Sequence, residues 1–302
     1  MSLAVGSQSG ISFITEANFG VTPVSPVLKR LALTGCKMGL DKQIITSSQL
    51  RPDRMGHRIY HGQKYVSGNL QASMQRDSFD SLFESAFMST FSAGVLTTGT
   101  ALKSFTIEDG LQDVGLYRVF TGCVVDKMSL RIQPNSAIAL GFDMVGKTMR
   151  DAVTPSVAAS YEEAASVPVM QSYDVSLKEN NVLLAKVSAV SLELDNQLDQ
   201  AQIIGQDSVA SLLAGRIKVS GEMTVYFDSA ALLQKFIRGT QTSLAITMQD
   251  DTVRYEVIIP HVLYKAADLA FDEDQPRLLT LSFEAMRDNI SGQLIELHKV
   301  IL

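Results

Sequence analysis

A diverged internal repeat constrains this chain more than any other feature of its sequence. The segment GQKYVSG at residues 62–68 aligns with GRIKVSG at residues 215–221. Near the end of each repeat, three alternating apolar residues also align: Ile138, Leu140 and Phe142 with Leu279, Leu281 and Phe283. Because the matches keep their order along the chain, the sequence predicts two copies of one structural unit rather than two unrelated domains.

The polarity pattern of each copy is typical of a half-buried β-strand. Apolar and polar residues alternate from residue 66 to residue 74, and the same alternation returns from residue 219 to residue 227. Successive side chains of a strand point to opposite faces of a sheet, so one face should be buried and the other polar. The fold class is therefore predicted to be mainly β.

A short helix is predicted after the alternating strand in both copies, with Asp77 or Ser78 as the cap of the first one. Apolar residues at helical spacing form its buried stripe: Phe79, Leu82, Phe83, Ala86 and Phe87 in the first copy, and Leu232, Leu233, Phe236 and Ile237 in the second. Pro-containing and small polar segments then divide the chain. We expect an N-terminal arm at 1–27, a first domain at 28–150, a linker at 151–171, a second domain at 172–288 and a C-terminal tail at 289–302.

Residue patterns that would indicate an enzyme are missing. The sequence has no phosphate-binding G-x-x-x-x-G-K-[ST] motif, no dinucleotide-binding glycine pattern and no G-x-S-x-G nucleophile motif. Four His and two Cys in 302 residues leave little material for a catalytic or metal centre. We therefore predict a protein that is not an enzyme and has no cofactor.

Two segments resemble metal sites at first sight. His57 and His61 are spaced as zinc ligands on a helix would be, but Pro52 and the nearby glycines indicate a loop. The acidic run at residues 272–274 is more typical of a solvated hairpin turn than of a calcium loop. No metal is predicted.

The net charge and the hydropathy of the chain limit the classes of partner that it is expected to bind. A net charge of −6 disfavours a dedicated nucleic-acid-binding protein, which normally carries a basic stripe. No apolar run approaches the roughly 18 residues that a membrane span requires, so no membrane partner is expected. The mean hydropathy is +0.12 and only 19% of the residues are charged. We therefore expect part of the protein surface to be buried in contacts with other subunits of an assembly.

Three segments carry a resemblance to a known family. They are ISFITEANFGVTPVSPVLKRLALTG (11–35), GQKYVSGNLQASMQRDSFDSLFESAF (62–87) and YRVFTGCVVDKMSLRIQPNSAIALGFDMVGK (117–147). Together with the second copy, they resemble the tail tube (major tail) protein of long-tailed, non-contractile bacteriophages. The resemblance implies a β-sandwich or barrel-like domain with one flanking helix, related to the tube protein of type VI secretion. This chain differs from the commonest members because it carries a tandem pair of such domains.

The resemblance implies a structural virion protein whose stacked rings form a conduit for DNA. Because rings of this family usually hold six domains, two domains per chain predict homotrimeric rings. The expected partners are further copies of the chain, the tail tip, tape measure and tail terminator proteins, and double-stranded DNA that passes without specific binding. The expected location is the virion tail, and the host cytoplasm during assembly.

The polarity pattern and the family resemblance together indicate candidate site residues. Polar positions that recur on the strands of both copies are the candidates for a lumen face: Asn69, Gln71, Asp143, Glu222, Thr224 and Glu284. The arm and the long loops at 41–61 and 195–214 supply the candidates for contacts between stacked rings: Phe13, Phe19, Arg51, Arg54, Arg58, Gln206 and Asp207. The alternatives are a distal tail or hub ring protein, a type VI-like tube subunit, and a ligand-binding β protein.

Overall fold

β-Strands make up 56% of the chain and helices 7%, so the mainly β fold class is confirmed. The structure is a computed structural model that describes residues 9–49, 52, 55, 58–151, 153–270 and 276–302. The acidic run at 272–274 lies outside the described residues.

The first copy holds a helix between its fourth and fifth strands. Its elements are β1 (Ser9–Thr15), β2 (Val27–Arg30), β3 (Gly35–Thr46), β4 (Ile59–Ser73), α1 (Asp80–Phe87), β5 (Val95–Thr97), β6 (Phe105–Leu111), β7 (Leu116–Ile132), β8 (Ala139–Gly146) and β9 (Thr148–Met149). The segment between the copies contains β10 (Ser160–Glu162) and a 3₁₀ turn (Ser172–Asp174).

The second copy repeats this order with an added hairpin and a final strand. Its elements are β11 (Val175–Glu179), β12 (Val182–Leu183), β13 (Val187–Asp195), β14 (Asp199–Ala201), β15 (Ser211–Leu213), β16 (Lys218–Tyr226), α2 (Ala231–Arg238), β17 (Thr242–Gln249), β18 (Val253–Ala270), β19 (Leu278–Met286) and β20 (Glu296–Ile301).

One antiparallel sheet, here called the main sheet, runs through both copies. Its strand order is β3-β4-β8-β7-β13-β16-β19-β18. The first four strands and the last four have the same order of connection along the chain. The internal repeat in the sequence is therefore a repeat of strand topology as well.

The longest strand of each copy belongs to two layers. Beyond a bulge after Val125, the first part of β7 leaves the main sheet and pairs with β6, which pairs with β1. In the second copy β18 has its bulge after Tyr264, and its first part pairs with β17, which pairs with β11. Because a bulge bends a strand and increases its twist, each copy closes as a two-layered β-sandwich.

The two copies share a single hydrophobic core. All five apolar residues predicted for the stripe of α1 are at most 4% exposed: Phe79, which directly precedes the helix, and Leu82, Phe83, Ala86 and Phe87 within it. Phe83 contacts Tyr255 of the second copy at a ring-centroid distance of 6.2 Å. In α2, by contrast, Ile237 is 70% exposed. The predicted cap by Asp77 or Ser78 is wrong, because α1 begins after Phe79 without a side-chain cap hydrogen bond.

The expected arm, linker and tail all contain strands. β1 lies within the 1–27 segment and pairs with β6 over its full length, while β10 of the linker pairs in parallel with β2. β20, from the 289–302 segment, pairs with both β18 and β5. These pairings join residues far apart in sequence, so local composition did not indicate them.

The pairings also correct the sequence alignment of the copies. Leu70 lies opposite Phe142, whereas its counterpart Met223 lies opposite Leu281. Leu281 therefore takes the place of Phe142, two residues away from the alignment that the apolar pattern suggested. A shift of two residues keeps every side chain on its face, so alternation alone could not detect it.

Candidate assembly surfaces

One face of the main sheet is polar across its whole width, and we call it the polar face. Alternation sends apolar residues such as Leu70, Leu130 and Leu192 into the core, where each is at most 3% exposed. Polar residues occupy the other face: Lys37, Asp41, Ser67, Asn69, Gln71, Asp143, Lys127, Ser129, Arg131, Ser191, Glu193, Asp195, Lys218, Ser220, Glu222, Thr224, Lys265, Asp268, Thr280, Ser282 and Glu284.

The structure brings all six residues predicted to line a lumen onto this polar face. In the first copy, Asn69 Nδ2 donates a hydrogen bond to Asp143 Oδ1 on the neighbouring strand. Gln71 is exposed one alternation further along β4, opposite Gly141. The structure thus groups these residues, and whether they face a lumen stays a prediction.

The second copy contributes the other three. Glu222 is exposed and lies between Ser191 and Ser282 on the strands at either side. Thr224 Oγ1 lies 3.2 Å from Thr280 Oγ1. Lys265 Nζ donates to Glu284 Oε2 at 2.7 Å, and this hydrogen bond lowers the pKa of the Glu284 carboxyl.

Charges of both signs are present on the polar face. An open depression there spans the two copies and is lined by Arg131, Glu193, Lys218, Glu222 and Lys265 among others. Acidic side chains outnumber basic ones, since Asp41, Asp143, Glu193, Asp195, Glu222, Asp268 and Glu284 face Lys37, Lys127, Arg131, Lys218 and Lys265. The cations were not predicted, because only the strand order shows which charges share this face.

The two copies meet in an antiparallel strand pair, here called the internal joint. β7 and β13 pair from Ile132 opposite Val190 to Lys127 opposite Asp195. Lys127 Nζ lies 2.9 Å from Asp195 Oδ2, and this hydrogen bond raises the pKa of Lys127. On the core side of the joint the opposing residues are apolar, as in the pair Leu130 and Leu192. The joint therefore continues both the polar face and the core from one copy to the next.

The long loop after β13 folds back onto the first copy. Its residues Val209 and Leu212 are at most 2% exposed and cluster with Val124 of β7. Asn196 is also buried, and its Nδ2 donates to the carbonyl oxygens of Ala86 and Val125 at 2.9 and 3.2 Å. The loop thus covers Val124 and its neighbours in the first copy, next to the internal joint.

Gln206 and Asp207, predicted as contacts between rings, contact the chain's own first copy. Gln63 Nε2 donates to Gln206 O at 3.1 Å, and Lys64 Nζ lies 2.8 Å from Asp207 Oδ2. This ion pair lowers the pKa of Asp207 and raises that of Lys64. Both residues remain exposed, so a contact between stacked rings stays a prediction for them.

Phe13 and Phe19, also predicted as contacts between stacked rings, pack within the chain itself. Phe13 is 5% exposed and packs edge-on against Phe105 at a centroid distance of 5.4 Å. Phe19 packs on the cluster around Val124, with Lys147 Nζ 5.7 Å from its ring centroid. Both rings serve the chain's own fold, because β1 is an integral strand of the first copy.

Glu16, which lies between Phe13 and Phe19 in the sequence, has a buried carboxylate. It accepts hydrogen bonds from Gly20 N at 2.7 Å, Ser104 Oγ at 2.7 Å, Thr106 Oγ1 at 2.8 Å and Gly122 N at 2.9 Å. A carboxylate with four donors satisfies the hydrogen-bonding needs of a buried charge. The sequence analysis did not predict this buried carboxylate, because it treated residues 1–27 as separate from the core.

Of the three predicted arginines, Arg58 is exposed directly before β4, at the loop end of the β3–β4 hairpin, while Arg51 and Arg54 lie outside the described residues. His57 lies outside them too. Within the part of the chain that the structure describes, no cluster of His, Cys, Asp and Glu is suited to a metal ion. No helix among these residues is long and apolar enough to cross a membrane.

The fold and its surfaces define a structural β protein that joins like units edge to edge. A family model described as phage tail tube protein matches residues 6–285. The chain belongs to the phage tail tube protein family, which makes it a structural, tube-forming component of a virion tail. No curated protein matches this chain.

Proposed function

We propose that this protein forms the tail tube of a long-tailed, non-contractile bacteriophage, as rings of three chains stacked along the tail. The family establishes the tube role. The observation behind three chains per ring is the internal joint. It shows how one copy pairs with the next within a chain, and the same pairing can join one chain to another.

The two outer edges of the main sheet correspond to the two strands of the internal joint. β3 pairs only with β4, and the end of β18 pairs only with β19, among the residues that the structure describes. β3 is the counterpart of β13, and β18 is the counterpart of β7. An unpaired strand edge is a site of association unless it is blocked. Each chain therefore offers the next one the same pair of edges that its own copies already use.

A ring closes when each unit contacts the next through two different, complementary surfaces. Two similar units per chain and three chains give six units, related by a pseudo-sixfold axis. In such a ring the main sheets form one continuous wall. The strand edges that would cause uncontrolled aggregation are then used in ordered contacts.

The polar face is the proposed lumen. It carries an excess of carboxylates and no basic stripe, so it lacks the phosphate-neutralising surface on which DNA binding depends. Double-stranded DNA would then pass along it during ejection without being held. The opposite face is excluded from this role because it forms the hydrophobic core.

The remaining partners follow from the tail tube family. Tail tip, tape measure and tail terminator proteins are proposed to meet the ends or the interior of the tube, and assembly is proposed to take place in the host cytoplasm. Arg58, exposed beside the β3–β4 hairpin, stays the described candidate for a contact between stacked rings.

Size measurement and electron microscopy of the purified chain test this proposal. We expect stacked rings whose averaged cross-section has threefold symmetry with six similar lobes. Single rings that do not stack would indicate a hub protein instead. A stable monomer that never forms rings would contradict the proposal and favour a ligand-binding β protein.

A further inference from the structure

The internal joint also gives the register of the contact between chains. We propose that β18 of one chain pairs antiparallel with β3 of the next, with Asp268 opposite Gly39 and Ala266 opposite Asp41. This inference rests on the proposed function, because it requires the chain to form rings with copies of itself. It goes further by stating which residues meet.

Strand pairing establishes that β3 and β13 are equivalent. Leu40 of β3 lies opposite Val66, and Leu194 of β13 lies opposite Val219, the counterpart of Val66 in the repeat. Asp41 therefore corresponds to Asp195, and Gly39 to Glu193. The internal joint uses these positions of β13 to pair with β7.

The bulges align β7 with β18. In β7 the bulged residue is Asp126, between Val125 and Lys127, and in β18 it is Lys265, between Tyr264 and Ala266. Ala266 therefore corresponds to Lys127. Counting onward by the same step, Asp268 corresponds to Ser129, which lies opposite Glu193 in the internal joint.

The polarity of the two edges supports this register. It places Met38 opposite Leu269 and Leu40 opposite Ala267 on the core side, just as Leu192 lies opposite Leu130 in the internal joint. A slip of one residue would place Met38 opposite Asp268 and mix the two faces. The register drawn from the bulges is therefore the one that keeps the core and the polar face continuous between chains.

The segments that follow β13 and β3 differ in how deeply their apolar residues are buried. After β13, Val209 and Leu212 are buried on the first copy of the same chain. In the equivalent β3–β4 hairpin the apolar residues are exposed by more than half: Ile44 66%, Ile45 57%, Ile59 65% and Tyr60 53%. Such an apolar patch indicates an interaction site. A neighbouring chain in the proposed register would supply the missing cover.

Among the described residues, a side chain of the same chain contacts the β3 edge. Arg118 Nη1 donates to Met38 O at 3.3 Å, a contact that an incoming strand can replace. At Gly39 a Cβ atom would have no heavy atom within 4 Å, so a cysteine fits at this position.

Engineered disulfides test the register. In a Cys36→Ser background, the matched pairs are Gly39→Cys with Asp268→Cys, and Asp41→Cys with Ala266→Cys. The mismatched pair is Gly39→Cys with Ala266→Cys. The internal control is Ser129→Cys with Glu193→Cys, which lie opposite each other within one chain. Each variant is assembled under reducing conditions, imaged, oxidised and run on a non-reducing denaturing gel.

We expect both matched pairs to convert most chains into covalent dimers and trimers. The mismatched pair should leave the chains monomeric, because a diagonal offset places Cβ atoms about 7–8 Å apart, beyond disulfide reach. The internal control should change mobility only as a monomer. A second matched pair is included so that a folding defect in one variant does not decide the result.

Two failures are distinguishable. If rings and tubes form and the internal control oxidises, but the matched pairs stay monomeric or the mismatched pair links chains, the register is overturned and the proposed function stands. If the unmodified chain forms no rings at all, the proposed function fails, and the joint between chains fails with it.

Discussion

Lys127 Nζ lies 2.9 Å from Asp195 Oδ2 across the strand pair that joins the two copies. The ion pair lies on the polar face, with Lys127 38% exposed, while the opposite side of the same strands is buried. The joint therefore combines a solvated ion pair with an apolar contact, and these two contributions should differ greatly in energy.

The apolar side of the internal joint should dominate its stability. Leu192 is 2% exposed, so Leu192→Ala should lower the free energy of unfolding by about 2–5 kcal/mol. Lys127→Ala should lower it by less than about 1 kcal/mol, because solvent screens the ion pair. Urea unfolding of the free chain measures both. An equal loss in the two variants would contradict this account of the joint.

Tyr255 links the second copy to the start of α1. Its hydroxyl donates to Asp80 Oδ1 at 2.9 Å and accepts from Asp77 N at 3.1 Å, and burial raises its pKa. Tyr255→Phe should therefore cost about 1–3 kcal/mol of unfolding free energy. Tyr173→Phe is the matched control, because Tyr173 is 81% exposed and should have almost no effect. Similar melting of both variants would argue against this link.

The buried carboxylate of Glu16 should be essential to the first copy. Glu16→Ala leaves buried donors without an acceptor, and we expect a loss on the order of 3 kcal/mol. Glu162→Ala, at an exposed position of the segment between the copies, is the control.

Deletion of residues 1–20 removes β1 as well and should prevent folding rather than only polymerisation. A deletion variant that stays folded would refute the role given to β1.

Asp288 should make the chain sensitive to acid. Its carboxylate accepts the backbone N–H groups of Ser291 at 2.7 Å and Ile290 at 3.2 Å, which lower its pKa from the ordinary value of 3.8. A depressed pKa stabilises the fold above the unfolded-state pKa, and this stability is lost as the pH falls through the folded-state pKa.

The stability difference between the native chain and Asp288→Ala should therefore be larger at pH 5 than below about pH 4, where it shrinks. Unfolding curves recorded across this pH range measure it. Asp251→Ala is the control, since Asp251 is exposed. A difference that grows on acidification would show that the sign of the pKa shift is wrong.

Charge reversal on the polar face should affect DNA passage more than assembly. Glu222→Lys with Glu284→Lys places cations on the proposed lumen and removes the partner of Lys265. We expect normal tubes but slower DNA release from virions, because added cations bind phosphates. The control Glu162→Lys with Asp251→Lys makes the same charge change at exposed positions outside the polar face. Equal release rates for the two double variants would exclude the polar face as the lumen.

Alternation and helical spacing predicted the parts of the fold that depend on local sequence. The strands around Leu70 and Met223 and the buried stripe of α1 follow from periods of two and 3.6 residues. These patterns also placed Asn69, Glu222 and Glu284 on one face, since parity along a strand decides the face.

What the sequence could not indicate depends on pairing between distant residues. Phe13 lies in a short strand that pairs over its full length with β6, more than 90 residues away, so its segment resembled an arm. The loop with Gln206 and Asp207 folds onto the first copy through a few irregularly spaced apolar residues. The bulges align Asp126 of the first copy with Lys265 of the second, and only the register of both strands reveals this alignment.

The symmetry of the assembled tube tests the central claim most directly. Cryo-electron microscopy of tubes, averaged without imposed symmetry, should show rings of three chains in which β18 of each chain continues into β3 of the next. Rings with true sixfold symmetry, or rings whose neighbouring chains meet through other surfaces, would contradict the account.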